Sequence, residues 1–211
     1  MIIPLSVKNQ SVDSSGITKD YKEAICEYIW NGFEAQATEV NVSFTLNDLG
    51  GIASISVSDN GTGIDYNDIS DTFGAFLASQ KNNLSLKIKS KQNKGKGRFS
   101  FTAFSTQAKW NTVFDNNGKL KQYDITLDDA TKESIECSDC VDSNAHQTGT
   151  TVIFYNVFQL LAENLLSESF ERHLLSEFSW YLYLNRNKGV RLVVNNEEID
   201  FNKYINTTLS E

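Results

Sequence analysis

The chain has 211 residues, a mass of 23.7 kDa and a formal net charge of −8, from 19 basic and 27 acidic side chains. Hydrophobic residues are 40% and charged residues 22%, which excludes a disordered chain, and the acidic balance excludes a nucleic-acid-binding coat over the whole surface, though not a local basic groove. No apolar run approaches the roughly 20 residues of a membrane span. The start, MIIPLSVKNQS, lacks a basic n-region and a long apolar h-region. Three cysteines, an odd number, do not make a disulfide scaffold, so the expectation is a cytoplasmic protein. The length suits one large domain, or one domain plus the edge of a second.

Residues 1–18 are polar with few periodic apolar positions and read as an N-terminal arm. Asp20 with Glu23 fits a capping box opening a helix. Ala24, Ile25, Tyr28 and Ile29 give it a buried stripe, and it should end by Ala37. Val40–Leu46 and Ile52–Val57 alternate as strands around Leu49-Gly50-Gly51. Asp59-Asn60-Gly61-Thr62-Gly63 ends the second strand in a glycine turn, and a short helix is expected over Asp65–Phe73. Residues 81–98 hold Lys81, Lys87, Lys89, Lys91, Lys94, Lys96 and Arg98 without an acid, which reads as a loop or lid. A helix is expected over Phe99–Ser105, then strands at 107–115 and 119–127 around Asn116-Asn117-Gly118. Residues 128–147, acidic and polar, read as a surface excursion. Thr150–Tyr155 reads as a buried strand and Glu168–Leu184 as a long amphipathic helix. Val190–Val194 and Ile199–Phe201 read as a closing hairpin across Asn195–Glu198. The sum is α+β, a two-layer sandwich of a mixed, mostly antiparallel sheet with helices on one face.

Four short patterns carry chemistry. Glu27 and Asn31, four apart on a helix, share a face with the small residues Ala24 and Ala35. A carboxylate and an amide there could hold a water and a metal ion; the spacing equally fits ordinary helix surface. Asp59 ends a strand, and Gly61 and Gly63 let backbone approach closely. A buried carboxylate there could accept from an exocyclic amine; a plain Asp-Asn-Gly turn is the alternative. Gly95-Lys96-Gly97 at an expected helix start offers backbone N–H groups to phosphate, without the spacing of a Walker loop. Thr148-Gly149-Thr150-Thr151 leads into an apolar strand.

In order and spacing, the four together resemble the GHKL ATPase superfamily of DNA gyrase B subunits, ninety-kilodalton heat-shock chaperones, histidine kinases and MutL mismatch-repair proteins. Glu27-Tyr28-Ile29-Trp30-Asn31 is similar to the family's Glu-x3-Asn motif, and Glu34-Ala35-Gln36-Ala37-Thr38 to a stretch in MutL and the MORC ATPases. Ser58–Ile64 resembles the second motif, Phe73-Gly74 to Ser79-Gln80-Lys81 the approach to the lid, Gly95–Phe99 the glycine-rich third motif, and Gly149-Thr150 the fourth. The resemblance runs from about residue 18 to 200. It implies a Bergerat fold holding ATP and Mg²⁺ under a lid at about 74–97. It makes Glu27 the general base, Asn31 the metal ligand and Asp59 the adenine acceptor. Gly61 and Gly63 would make room for the base, beside Ala35 and Ile64. Lys81, Gly95, Lys96, Gly97, Arg98 and Phe99 would lie along the phosphates, and Thr150 or Thr151 would help hold Asp59. Trp30 and Arg98 depart from the pattern: the indole would pack under the sheet or beside the site, and Arg98 would touch a phosphate or pair with an acid.

The function expected from the resemblance is a slow, Mg²⁺-dependent ATPase working as a conformational and dimerisation switch; the residues name no client, since repair, chaperoning, DNA clamping and phage defence all use such a fold. A nucleotide-dependent dimerisation or scaffold module without hydrolysis is the alternative, and a histidine-kinase catalytic domain is disfavoured by Glu27. The domain expectation is an arm at 1–18, the ATP-binding unit at 19–185, and a hairpin at 186–211 opening a following domain, with an effector further on in a longer protein. A homodimer and a downstream effector are the expected partners, and the basic run leaves nucleic acid open. Cys137-Ser-Asp-Cys140 has half of a zinc-site spacing and reads as a surface loop, with a metal or redox role as the alternative; Cys26 reads as core and His173 as a surface or packing residue.

Overall fold

The computed structural model describes residues 2–4, 17–73, 97–131 and 134–210. Its architecture is α+β. Among the described residues one mixed sheet holds β1 (Ile2–Pro4), β2 (Glu39–Leu46), β3 (Ile52–Asp59), β4 (Ser105–Asp115), β5 (Leu120–Asp128), β6 (Ser134–Cys137), β7 (Val141–Asp142), β8 (Gly149–Val157), β9 (Arg191–Val194) and β10 (Glu197–Glu198). The order across it is β1-β6-β5-β4-β8-β3-β2-β9-β10, with β7 paired to β5 off that path. Every pairing is antiparallel except β2 with β9.

The helices are α1 (Tyr21–Glu34), α2 (Ile69–Thr72), α3 (Ala162–Leu165), α4 (Glu168–Asn185) and α5 (Asn202–Ser210). Asp20 caps α1 by accepting from the Lys22 N–H at 2.9 Å. The helix buries Ala24, Ile25, Cys26, Tyr28, Ile29, Gly32 and Phe33. Two apolar rows of the sheet lie in this same core. One is Val42, Val57, Val152, Trp110 and Ile125, the other Ile55, Phe154, Ala108 and Leu127. The next row reads Val40, Asp59, Thr150, Thr112 and Tyr123. Strand alternation therefore puts one carboxylate and three hydroxyls on the helix side, at the rim of the core.

Several expectations need correcting. The segment expected as a helix over Phe99–Ser105 is a 3₁₀ helix, Gly97–Ala103. The excursion at 128–147 contains β6 and β7, and β6 buries Ile135 and Cys137. The closing hairpin turns at Asn195-Asn196, both at positive φ, and its second strand is Glu197–Glu198 rather than Ile199–Phe201. A helix, α5, follows where none was expected, held to α4 by Tyr183 against Phe201 and by Lys203 with Glu171. Trp30 faces α4. It stacks among Phe33, Phe178 and Tyr181, and its N–H donates to Glu177 of α4 at 2.9 Å.

Candidate functional site

Asp59 stands at the end of β3, where α1 comes close. A Cβ on Gly32 would lie 2.9 Å from a Val40 methyl and 3.0 Å from the Asp59 Cβ, so the helix can reach this depth because it has no side chain there. The Gly61 N–H donates to Asp59 Oδ1 at 2.8 Å, and the Thr150 backbone donates to the same carboxyl. Burial raises the Asp59 carboxyl above the ordinary 3.8, and these two backbone bonds oppose the shift.

The turn after Asp59 is tied down on three sides. Asn60 accepts from the Thr38 and Glu39 N–H groups at 2.9 Å each. The Thr148 hydroxyl donates to the Gly61 carbonyl at 2.6 Å, and the Thr62 N–H donates to the Ala35 carbonyl at 2.9 Å. A Cβ on Gly61 would meet the Ala35 carbonyl at 2.6 Å. Gly63 has φ +73° and lies against the Val113 carbonyl, where a Cβ would fall at 2.0 Å. The Ile64 N–H donates to the Thr112 hydroxyl at 2.9 Å, and that hydroxyl is 3.0 Å from the Thr150 hydroxyl.

Sequence reasoning missed Thr112 and Gly32, and named Thr148 only as part of the Thr148–Thr151 pattern, without its bond to the Gly61 carbonyl. Thr112 is 1% exposed and joins β4, β8 and the glycine turn, yet a threonine in an alternating strand carries no mark of that role. Gly32 did carry a signal, since a glycine inside a helix costs about 1 kcal/mol against alanine. Of the two threonines proposed beside Asp59, the structure brings Thr150. Thr151 pairs with Ser58 and Asn111 on the opposite side of the sheet.

Glu27 and Asn31 lie on α1 in line with Ala35. Gly97 lies at the Glu27 end: a Cβ there would stand 3.1 Å from Glu27 Oε2. Arg98 is 8% exposed. Its guanidinium lies over the Phe73 and Phe99 rings, 5.6 and 5.4 Å from their centroids, and burial lowers it to about 10. Phe99 is wholly buried. Lys81, Gly95 and Lys96, and the lid expected at 74–97 except Gly97, lie outside the described residues.

Elsewhere, Cys26 and Cys137 are buried and Cys140 is half-buried, and none forms a disulfide. His173 Nε2 lies 3.6 Å from Glu23 Oε1. Among the described residues no group of three or more His, Cys, Asp or Glu is placed to hold a metal, and no helix is long and apolar enough to cross a membrane.

Residues 19–152 match the family model described as histidine kinase-, DNA gyrase B-, and HSP90-like ATPase. No curated protein sequence matches the chain. Solved structures that share its fold include these three. The Aquifex aeolicus MutL ATPase domain complexed with ADP is 16% identical with TM-score 0.51, over 92% of this chain and 70% of that one. The N-terminal domain of a DNA repair protein is 22% identical with TM-score 0.52, over 89% of this chain and 51% of that one. The ATPase region of Saccharomyces cerevisiae topoisomerase II is 15% identical with TM-score 0.64, over 90% of this chain and 52% of that one. The chain thus spans about half the length of the latter two structures.

Proposed function

This chain belongs to the histidine kinase-, DNA gyrase B-, and HSP90-like ATPase family, and from that premise we propose that it binds ATP with Mg²⁺ along α1 and hydrolyses it slowly as a conformational switch. The observation that carries the reading is the arrangement of α1 between two unlike ends. Ala35 packs against the Asp59–Gly61 turn, and Glu27 lies against Gly97. Eight helical steps lead from Glu27 to Ala35, a rise of about 12 Å, with Asn31 midway. An extended nucleotide laid along that line would put its base at Asp59 and its terminal phosphate at Glu27.

Each end has chemistry suited to its task. Ionised Asp59 would accept from the exocyclic amine of adenine while its other bonds come from the Gly61 and Thr150 backbones. Thr112 holds the turn that shapes this end by accepting from the Ile64 N–H. Glu27 would orient a water and take its proton as the water oxygen attacks the γ-phosphorus. The bond from that phosphorus to the β-phosphate oxygen breaks, and ADP leaves. Positioning and charge neutralisation supply most of the catalysis in such a transfer. The donor set fits Mg²⁺: Asn31 offers a single neutral amide oxygen, and a cation held mainly by phosphates and water needs no protein cage. When bound, the ion would neutralise charge between phosphate oxygens.

The wider reading is that of a switch: an ATP-dependent homodimer, an arm at 1–18, a nucleotide unit at 19–185, and a segment at 186–211 leading to an effector. Calorimetric titration with a non-hydrolysable ATP analogue and Mg²⁺ tests the core of it. Wild type should bind and Asp59→Asn should not, while Glu27→Ala should bind and lose turnover. Equal binding by wild type and Asp59→Asn would overturn the adenine assignment. Normal hydrolysis by Glu27→Ala would overturn the base.

A further inference from the structure

Tyr28 follows Glu27 directly and is 2% exposed. Its ring packs edge-on to Phe154, with centroids 4.7 Å apart, and lies 6.4 Å from the Trp110 ring centroid. A phenylalanine would fill that space equally well. The hydroxyl is the part that packing does not require, and a buried hydroxyl must find partners. Both of its partners belong to the 3₁₀ segment Gly97–Ala103. It donates to the Arg98 carbonyl at 3.0 Å and accepts from the Phe101 N–H at 3.1 Å.

That carbonyl and that N–H are three residues apart. They are the pair that a 3₁₀ helix joins to each other. The Tyr28 hydroxyl sits between them and bridges them to α1. The segment's first residue, Gly97, is the one whose Cβ position lies 3.1 Å from the Glu27 carboxylate. Two bonds from one side chain therefore set how far the glycine-bearing backbone stands from its neighbour in sequence, Glu27. Arg98 extends the same junction by laying its guanidinium over Phe73, the last described residue before 74–96. Burial, with the Glu27 charge adding, raises the phenol further above its usual range, so it remains a donor at every working pH.

We infer that Tyr28 is a positioning residue: its hydroxyl holds the Gly97–Phe101 backbone against Glu27, and so governs the placement of the terminal phosphate and the attacking water rather than the affinity for adenine. The inference rests on the ATPase reading above and deepens it. Removing the hydroxyl leaves the Arg98 carbonyl and Phe101 N–H able to pair with each other, so the fold survives while the segment draws away from α1.

The test is Tyr28→Phe, measured for turnover and for affinity toward ADP and toward a non-hydrolysable ATP analogue with Mg²⁺. A small displacement at the reacting centre costs rate steeply, so kcat should fall about tenfold or more. Affinity for ADP should stay within about twofold while affinity for the triphosphate analogue falls by more, since a tenfold loss corresponds to about 1.4 kcal/mol placed at one end of the ligand. Unchanged kcat, or equal loss of affinity for ADP and the analogue, would overturn the inference, the latter because a merely structural role weakens both alike. Should wild type bind nucleotide without hydrolysing it, the ATPase reading fails and the affinity split alone decides the role of Tyr28. Should Tyr28→Phe not fold, hydrogen exchange on wild type decides. The Phe101 amide should then exchange as slowly as the Phe154 amide in β8, and fast exchange would overturn the bridge.

Discussion

At the Asp59 end of α1 the closest contacts of three glycines are backbone against backbone. Gly63 meets the Val113 carbonyl, Gly61 the Ala35 carbonyl, and Gly149 the Asp59 carbonyl, where a Cβ would fall at 2.3 Å. At the Glu27 end they pass through side chains: Gly97 faces a carboxylate, Tyr28 bridges by its hydroxyl, and Arg98 stacks on rings. Backbone in a sheet has few alternative positions, whereas side chains have rotamers. The first end is thus built to hold one shape, and the second can change shape at small cost. That is the division expected when one end must recognise a base and the other must respond to a phosphate.

The sharpest way to break this comparison is Gly63→Ala. The residue has φ +73°, and the new Cβ would fall 2.0 Å from the Val113 carbonyl oxygen, with nothing flexible to give way. The left-handed backbone alone costs about 1–2 kcal/mol, and the clash should bring the total to about 4 kcal/mol or more. Urea denaturation measures it. A loss below about 1 kcal/mol would mean that β4 moves freely here and that the first end is not rigid.

Thr112→Val comes next. It keeps the shape and leaves the Ile64 N–H, now bonded at 2.9 Å, without its acceptor. The expected loss is about 1–3 kcal/mol by the same denaturation, the usual cost of a buried donor left unpaired. Nucleotide affinity should fall too, because the turn carrying Gly63 loses its tie to β4. Unchanged stability would show that Thr112 acts as spacer only.

Asp59→Asn should act in the opposite sense on stability. The carboxyl is raised above 3.8 by burial, so the folded state binds its proton more tightly than the unfolded chain does. Its ionised form therefore costs stability, a cost absent below the ordinary value and complete once pH rises past the raised one. Asparagine removes the charge and keeps an oxygen to accept from Gly61. At neutral pH the variant should melt at the same temperature as wild type or higher, and the gap should close as pH falls through the window above 3.8. A lower melting temperature at neutral pH would show that the backbone bonds outweigh the burial.

Much of the first end was readable in the residues. Alternation placed β2 to β5 and β8 to within a few positions, and an aspartate followed by two spaced glycines marked the turn. The second end was less readable for a physical reason. A short glycine-led segment satisfies an α pattern and a 3₁₀ pattern equally, and Tyr28 in an apolar stripe looks like core until its partners 70 and 73 residues on are known. β6 and β7 hid in a polar stretch because two side chains, Ile135 and Cys137, are all that β6 buries and β7 buries none. Trp30 misled because its partner, Glu177, lies on a helix 147 residues away. Its indole fastens α1 to α4.

Gly97→Ala carries the smallest effect on stability and says most about the second end. The new methyl would meet Glu27 Oε2 at 3.1 Å, the tip of a side chain that can rotate, and Gly97 does not occupy the left-handed region. Replacing glycine there restricts the unfolded chain slightly, which offsets part of the crowding. Stability should change by less than about 1 kcal/mol. Turnover should fall about tenfold, because the carboxylate is displaced from the place where a water would meet the terminal phosphate. ADP affinity should hold, since ADP lacks that phosphate. Two glycine-to-alanine changes at the two ends of one helix would then separate folding from turnover. If Gly97→Ala instead unfolded the protein as Gly63→Ala is expected to do, both ends would be equally rigid, and response to the phosphate would have to come from elsewhere in the chain.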